Sequence, residues 1–167
     1  MDPSDEALVR GFRNGDDRAF EALYDRWQDW VAALAFRFTG DRDAALDVLQ
    51  DAFAYLVRRR ADLELRSAMK TFLYPVVKNL ANDRRRATRR ERPLSPEIQP
   101  AAPSAEAGGV DHLLAGLSDA QQEVVLMRFS DGMDLQGIAD ALQVPLGTVK
   151  SRLHSALEII RSRHPNR

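Results

Sequence analysis

The stretch LQGIADALQVPLGTVKSRLHSALEIIRSR, residues 135–163, decides how the C-terminal part of the chain folds. Val149, Leu153, Ala156 and Ile160 recur at steps of four, three and four, which is one apolar face of an α-helix. Gly147, Thr148, Lys150, Ser151, His154 and Ser155 fall on the other side. Pro145 stands where that helix opens, where its fixed φ suits a first turn and its missing N–H costs nothing. Upstream, residues 135–142 make a shorter amphipathic helix led by Asp134, a good N-cap. Two helices, a tight turn, and small and cationic residues at the start of the second form a helix-turn-helix pattern. The second helix of such a pair enters the major groove of DNA. A hairpin that only packs has no use for Thr148-Val149-Lys150-Ser151-Arg152 at an exposed helix start. By itself, however, this motif states only that the chain binds DNA.

The bulk properties narrow the class. A chain of 167 residues fits one or two domains, and 44% hydrophobic residues suffice for a core. With no cysteine, disulfides and thiolate metal sites are excluded. His112, His154 and His164 are spread too far apart in sequence to suggest a metal site, and no cofactor is implied. No apolar run approaches the length of a membrane span, and the opening MDPSDEALVR is acidic and unlike a signal peptide, so a cytoplasmic protein without membrane insertion is expected. The net charge of −1 conceals a strong segregation. Residues 1–65 carry 9 basic and 14 acidic side chains, net −5. Residues 66–92 carry 9 basic and 2 acidic, net +7; residues 93–167 carry 6 and 9, net −3. The basic block is an electrostatic footprint for phosphates. The acidic N-terminal third points instead to a basic protein partner.

Along the chain, Ser4 opens a short helix over 5–13 that Asn14-Gly15 stops. Asp16 caps a long helix with Phe20, Leu23, Tyr24, Trp27, Val31, Leu34 and Phe38 on its core side, ending at Thr39-Gly40. This aromatic stripe reads as core and not as a ligand box. Asp41 starts a third helix whose buried stripe is Ala45, Val48, Leu49, Ala52, Phe53 and Leu56. Asp47, Gln50, Asp51 and Ala54 share its opposite face, which on spacing alone reads as a solvated surface. After a loop over 58–67, Ser67 can cap a fourth helix with Met69, Phe72, Leu73, Val76, Val77 and Leu80 as its core face. Thr71, Lys78, Asn82, Arg85 and Arg89 line the other face, and Pro75 sits on this exposed ridge inside the helix. Residues 92–110 hold four prolines and no periodicity, which reads as a mobile linker. A short helix over 110–117 follows. Ser118 with Gln121 then forms a capping box for a helix offering Val124, Val125, Leu126, Met127 and Phe129 to the core, and Asp131-Gly132 ends it. The reading is all-α, two small helical domains joined by a flexible linker. No phosphate loop, Ser/His/Asp arrangement or acid–base carboxylate pair is present in the sequence, which argues against an enzyme.

Two segments together resemble a known family. Residues 117–157, LSDAQQEVVLMRFSDGMDLQGIADALQVPLGTVKSRLHSAL, closely resemble the promoter-reading C-terminal domain of bacterial RNA polymerase sigma factors. DRAFEALYDRW, ALDVLQDAFAYL and MKTFLYPVVKNLANDRRR resemble their N-terminal conserved domain. Two such domains with only a short linker between them is the layout of the extracytoplasmic-function (ECF) group. The resemblance implies residues 1–91 as the domain that binds core polymerase and recognises and melts the −10 element, 92–110 as linker, and 111–167 as the −35-reading domain. It implies Asp47, Gln50 and Asp51 as contacts to the clamp helices of the polymerase largest subunit, with the flap as a second polymerase contact. The loop 61–68 and Asn79 correspond to the region that captures a flipped −10 base, with Lys78, Asn82, Arg84, Arg85 and Arg86 along the melted backbone. Pro145, Gly147, Thr148, Lys150, Ser151, Arg152 and His154 correspond to −35 contacts. An anti-sigma factor is an implied partner.

The chain departs from the family at several positions. Phe72-Leu73-Tyr74-Pro75 stands where Trp-Leu-Tyr-Arg is usual, and Ser155-Ala156-Leu157 where Arg-Ala-Arg often follows the recognition string. Gln143 occupies the usual glycine of the turn, and Gly137 replaces a frequent Glu. Each lost phosphate cation lowers the salt slope of DNA binding by about one unit, so a weak −35 contact that leans on polymerase is expected. Two other readings compete. A decoy that only sequesters an anti-sigma factor tends to lose its DNA-reading cations, whereas Arg84–Arg86 and Lys150–Arg152 are kept. A stand-alone helix-turn-helix regulator leaves Asp47, Gln50 and Asp51 without a purpose.

Overall fold

The computed structural model describes residues 3–91 and 110–163, and within them the backbone is helices and turns without a strand. The all-α expectation holds there. The stretch read as a linker, 92–110, lies outside the described residues except for Val110, which already opens a helix. The chain divides into two units, Met1–Pro100 and Ala101–Arg167.

In the first unit each of the first three helices starts on a side-chain oxygen that accepts one of the orphan N–H groups of a helix start. α1 (Asp5–Arg13) opens at Ser4, whose hydroxyl accepts from the Ala7 N–H. α2 (Asp17–Thr39) opens at Asp16, whose carboxylate accepts from Arg18, and α3 (Arg42–Arg58) at Asp41, which accepts from Ala44. Such a cap contributes about 0.5–2 kcal/mol. Gly15 and Gly40, at φ +100° and +67°, let the chain turn out of α1 and α2. α3 buries the six residues read as its stripe. In α2, Leu23, Val31 and Leu34 are buried with Ala19 and Ala35, while Phe20, Tyr24, Trp27 and Phe38 are half-buried. The aromatic stripe packs as core should: Tyr24 lies 4.6 Å from Phe53 between ring centroids, and Phe20 4.9 Å from Phe12.

α4 (Met69–Glu91) differs from the sequence reading in two respects. It begins at Met69 with the Ala68 carbonyl accepting from the Phe72 N–H, so Ser67 stands one residue before the cap position. Its buried residues are Met69, Thr71, Leu73, Tyr74, Val77 and Ala81, while Phe72, Val76 and Leu80 are only half-buried. The stripe is thus rotated toward Thr71 and Tyr74. Tyr74 is the largest fully buried side chain and meets Phe38 edge-on. Pro75 is consequently half-buried instead of exposed, and α4 continues through it.

In the second unit α5 (Val110–Leu114) is shorter than the 110–117 expected, because the chain turns at Gly116, φ +77°. The capping box at Ser118 and Gln121 is formed and starts α6 (Asp119–Val125). α6 passes into a π turn over Leu126–Ser130, marked by the Asp131 N–H donating to the Leu126 carbonyl. That added residue per turn points Met127 inward and Phe129 outward. Phe129, read above as core, is 63% exposed. α7 (Leu135–Leu142) opens at Asp134, which accepts from Gly137. α8 (Leu146–Arg163) follows directly, with the Pro145 carbonyl accepting from Thr148, so Pro145 is the residue before the helix. α6 and α7 both pack on α8, whose Val149 and Ala156 are fully buried. Leu114, Leu117 and Val125 close over Ala156, with Leu153, Ile159 and Ile160 half-buried against them.

Candidate nucleic-acid interface

Because α3 buries its apolar stripe, the opposite face is presented outward. Gln50 and Asp51 are exposed and Asp47 is half-buried. Leu46 and Val57 stand beside them at 52% and 49% exposure. The face therefore has an acidic row, Asp47 and Asp51, and an apolar row, Leu46 and Val57, with Gln50 between. Sequence reasoning missed the apolar row, although Leu46, Gln50 and Val57 share helical spacing off the buried stripe.

On α4, Asn79 and Arg86 are exposed, while Lys78, Asn82, Arg84 and Arg85 are half-buried. These cations are not all set apart from carboxylates. The Arg84 guanidinium donates to the Asp47 carboxylate on α3. Arg86 Nη1 lies 3.5 Å from Asp83 Oδ1. The Lys78 ammonium sits 6.0 Å from the Phe38 ring centroid. The α3 face read for protein and the α4 ridge read for DNA thus meet at the Asp47–Arg84 pair.

The connection before α4 is held by Leu63, 3% exposed, which follows a 3-10 turn over Arg60–Asp62. Around it Glu64 and Arg66 point to solvent and pair through Arg66 Nη2 at 2.8 Å. The hydrogen bond from Arg66, and then its charge, hold the Glu64 carboxyl below its ordinary range. Arg59 lies over the Tyr55 ring at 5.8 Å and Arg60 over Phe12 at 5.1 Å. Lys70 lies 6.0 Å and 5.9 Å from the Trp27 and Trp30 rings.

In the second unit, Pro145, Gly147, Lys150, Ser151 and His154 form one exposed face at the start of α8, with half-buried Thr148 at its edge. A Cβ on Gly147 would meet nothing, so a ligand can approach the backbone closely there. Ser151 Oγ donates to the Thr148 carbonyl at 3.0 Å, and His154 Nε2 lies 3.3 Å from Glu158 Oε1. Arg152 departs from this group: three residues after Val149 and four before Ala156, it is half-buried on the flank toward the core. The Gln143 that links α7 to α8 has φ +54° and ψ +44°, the left-handed conformation usually given to glycine.

Residues 23–91 match sigma-70 region 2 and residues 113–162 match sigma-70 region 4. The RNA polymerase sigma-H factor of Pseudomonas aeruginosa is 30% identical over 93% of this chain and 91% of its own length. The chain belongs to the sigma-70 family, in its extracytoplasmic-function group. The ECF sigma factor SigW of Bacillus subtilis is 25% identical over 92% of each chain. Among solved structures, CnrH in complex with the cytosolic domain of CnrY shares the fold at a TM-score of 0.71, with 22% identity and 95% of each chain covered. The sigma factor RpoE of Bartonella quintana, solved with the anti-sigma factor NepR, does so at 0.63, with 22% identity over 86% of this chain and 94% of its own. In this sigma factor the α3 face and the α4 ridge fall inside region 2, and the exposed start of α8 falls inside region 4. No helix among the described residues is long and apolar enough to cross a membrane, and no group of His, Asp and Glu there could hold a metal ion.

Proposed function

We propose that this sigma factor binds core RNA polymerase in the cytoplasm and directs promoter-specific initiation, with no catalytic chemistry of its own. Residues 1–91 dock on the polymerase through Asp47, Gln50 and Asp51, with Leu46 and Val57 as the apolar half of that contact. The same unit reads and melts the −10 element through the 61–68 loop, Lys78, Asn79, Asn82 and Arg84–Arg86. Residues 111–167 read the −35 element through Pro145, Gly147, Thr148, Lys150, Ser151 and His154, with Arg152 reaching the backbone from the flank. Residues 92–110 join the two. The observation that carries this reading is the outward acidic and apolar α3 face beside a cationic α4 in one unit, and a groove-sized helix start in the other. The relative solved with NepR favours an anti-sigma factor as a further partner of this chain.

Run-off transcription with purified core polymerase on a genomic library tests the function and reports the promoter. The docking face is tested by co-purification with core polymerase. Asp51 is exposed and makes no core contact, so Asp51→Arg folds normally and is expected to lose core binding. Binding retained by Asp51→Arg places the docking face elsewhere.

A further inference from the structure

The Asp47–Arg84 pair joins a polymerase-facing carboxylate to a DNA-facing cation across two helices, 37 residues apart in sequence. Both side chains are partly exposed, at 48% for Asp47 and 41% for Arg84, so either can be reached by a macromolecule. Arg84 engages Asp47 through Nη2 alone, so while the pair stands the carboxylate offsets the charge that a phosphate would meet. We propose that Asp47 holds Arg84 neutralised in the free sigma factor, and that polymerase docking on the α3 face takes over Asp47 and releases Arg84 to the DNA backbone. This rests on the reading above, in which α3 meets polymerase and α4 meets DNA.

The physical scale suits a modulator and not an on–off lock. Partly exposed pairs contribute little, so release changes phosphate affinity about threefold. The pair also lowers the count of available cations by one, which changes the salt slope on single-stranded DNA by about 0.7. Arg85, the neighbouring cation on the ridge, gives an independent check that the ridge binds DNA at all. Asp43 lies one turn before Asp47 on the exposed side of α3, which makes it a charge-matched control.

The test titrates the full chain with fluorescein-labelled oligo-dT across a range of salt. Asp47→Ala is expected to bind about threefold tighter with a slope steeper by about 0.7, while Asp43→Ala binds like the unaltered chain. In an Arg84→Gln background, Asp47→Ala is expected to change nothing. Equal effects of Asp47→Ala and Asp43→Ala, or an Asp47→Ala gain that survives Arg84→Gln, overturn the neutralising role. Release is read from Arg84→Gln, which is expected to lose more affinity and slope in holoenzyme at saturating core polymerase than in the free chain; an equal or smaller loss in holoenzyme overturns the release. If Arg85→Gln leaves affinity and slope unchanged in the free chain, the DNA-binding ridge itself fails, which is a different result from failure of the pair alone.

Discussion

The two helices proposed to meet DNA are built in opposite ways. α4 is a ridge of long side chains over a core of large residues, with Arg84 and Arg86 each beside a carboxylate and Lys78 over an aromatic ring. The start of α8 is nearly bare: a glycine with open space around it, a serine that folds back on its own backbone, and Lys150 exposed. A bare helix start can press its backbone into a duplex groove and read its shape and edges. A ridge of adjustable cations suits a flexible single strand, whose backbone follows charge more than contour. One chain thus carries a rigid reader and an adaptable one, and their separation can be probed.

The strongest way to break that comparison is to unfold one reader and watch the other. Both tryptophans of the chain, Trp27 and Trp30, lie in α2, so intrinsic fluorescence reports the first unit alone, whereas circular dichroism reports both. Leu34 and Ile138 are each fully buried, one per unit. Truncation to alanine costs about 2–5 kcal/mol at such positions. Leu34→Ala is expected to move the fluorescence transition in urea to lower denaturant, and Ile138→Ala to leave it in place while moving a separate part of the dichroism curve. If Ile138→Ala moves the fluorescence transition as far, the readers unfold as one body and the contrast between them loses its structural basis.

A smaller effect sharpens the rigid half. Gln143 holds the left-handed conformation at which a side chain is strained and glycine is not. Gln143→Gly is expected to stabilise the second unit by about 0.5–1 kcal/mol, read as a higher midpoint in the dichroism curve with fluorescence unchanged. A lower midpoint would mean that the Gln143 side chain makes contacts worth more than the strain.

This position also shows what was legible in the sequence. The turn is legible from the helical spacing on either side of it and the departure at Gln143 from the family resemblance, but the backbone strain there is not legible in the sequence. Helix starts were legible because a capping oxygen acts within three residues; Ser4, Asp16, Asp41, Ser118 and Asp134 all cap as read. The α3 stripe was legible because its two sides differ sharply in polarity. The α4 stripe was not. Thr71 reads outward and Tyr74 falls on neither face by spacing, yet the Tyr74 ring packs against Phe38 and the buried stripe rotates toward it. Phe129 was misplaced for another local reason, since a π turn shifts the register and no 3.6-residue count anticipates it. The Asp47–Arg84 pair was invisible because spacing describes one helix at a time. Among the residues proposed to meet DNA, spacing separates Gly147, Lys150 and Ser151 from Arg152, which sits on the flank of α8.

The same helix makes the missing cations testable. Ser155 is exposed on the side of Ser151, whereas Leu157 is half-buried. Ser155→Arg is expected to steepen the salt dependence of duplex binding by about 0.9 in log–log slope, the effect of one added phosphate contact. Leu157→Arg is expected to give less and to cost stability through lost burial. A filter-binding series over salt with the full chain measures both. Equal gains from the two would mean that the DNA backbone also reaches the Leu157 side of α8, away from Arg152.

The smallest effect concerns the adaptable half, at the loop expected to capture a base. Glu64 accepts from Arg66 at 3.0 Å and 2.8 Å, and its carboxyl is held below its ordinary value of 4.5, first by that hydrogen bond and then by the charge. A carboxyl lowered on folding adds stability that is present above its unfolded value and lost as pH falls through the lower folded value. The loop should therefore keep its pair at neutral pH and release it only under acid conditions below the usual carboxylate range. Both groups are exposed and screened by solvent, so the change in global stability is small and the loop itself is the place to look. Carboxyl-carbon NMR of Glu64 is expected to titrate below 4.5 in the unaltered chain and to return to about 4.5 in Arg66→Ala. With Arg66 at 83% exposure the pair holds the loop lightly. An unchanged Glu64 titration in Arg66→Ala shows that the backbone of the loop, pinned by Leu63, sets its shape without the pair.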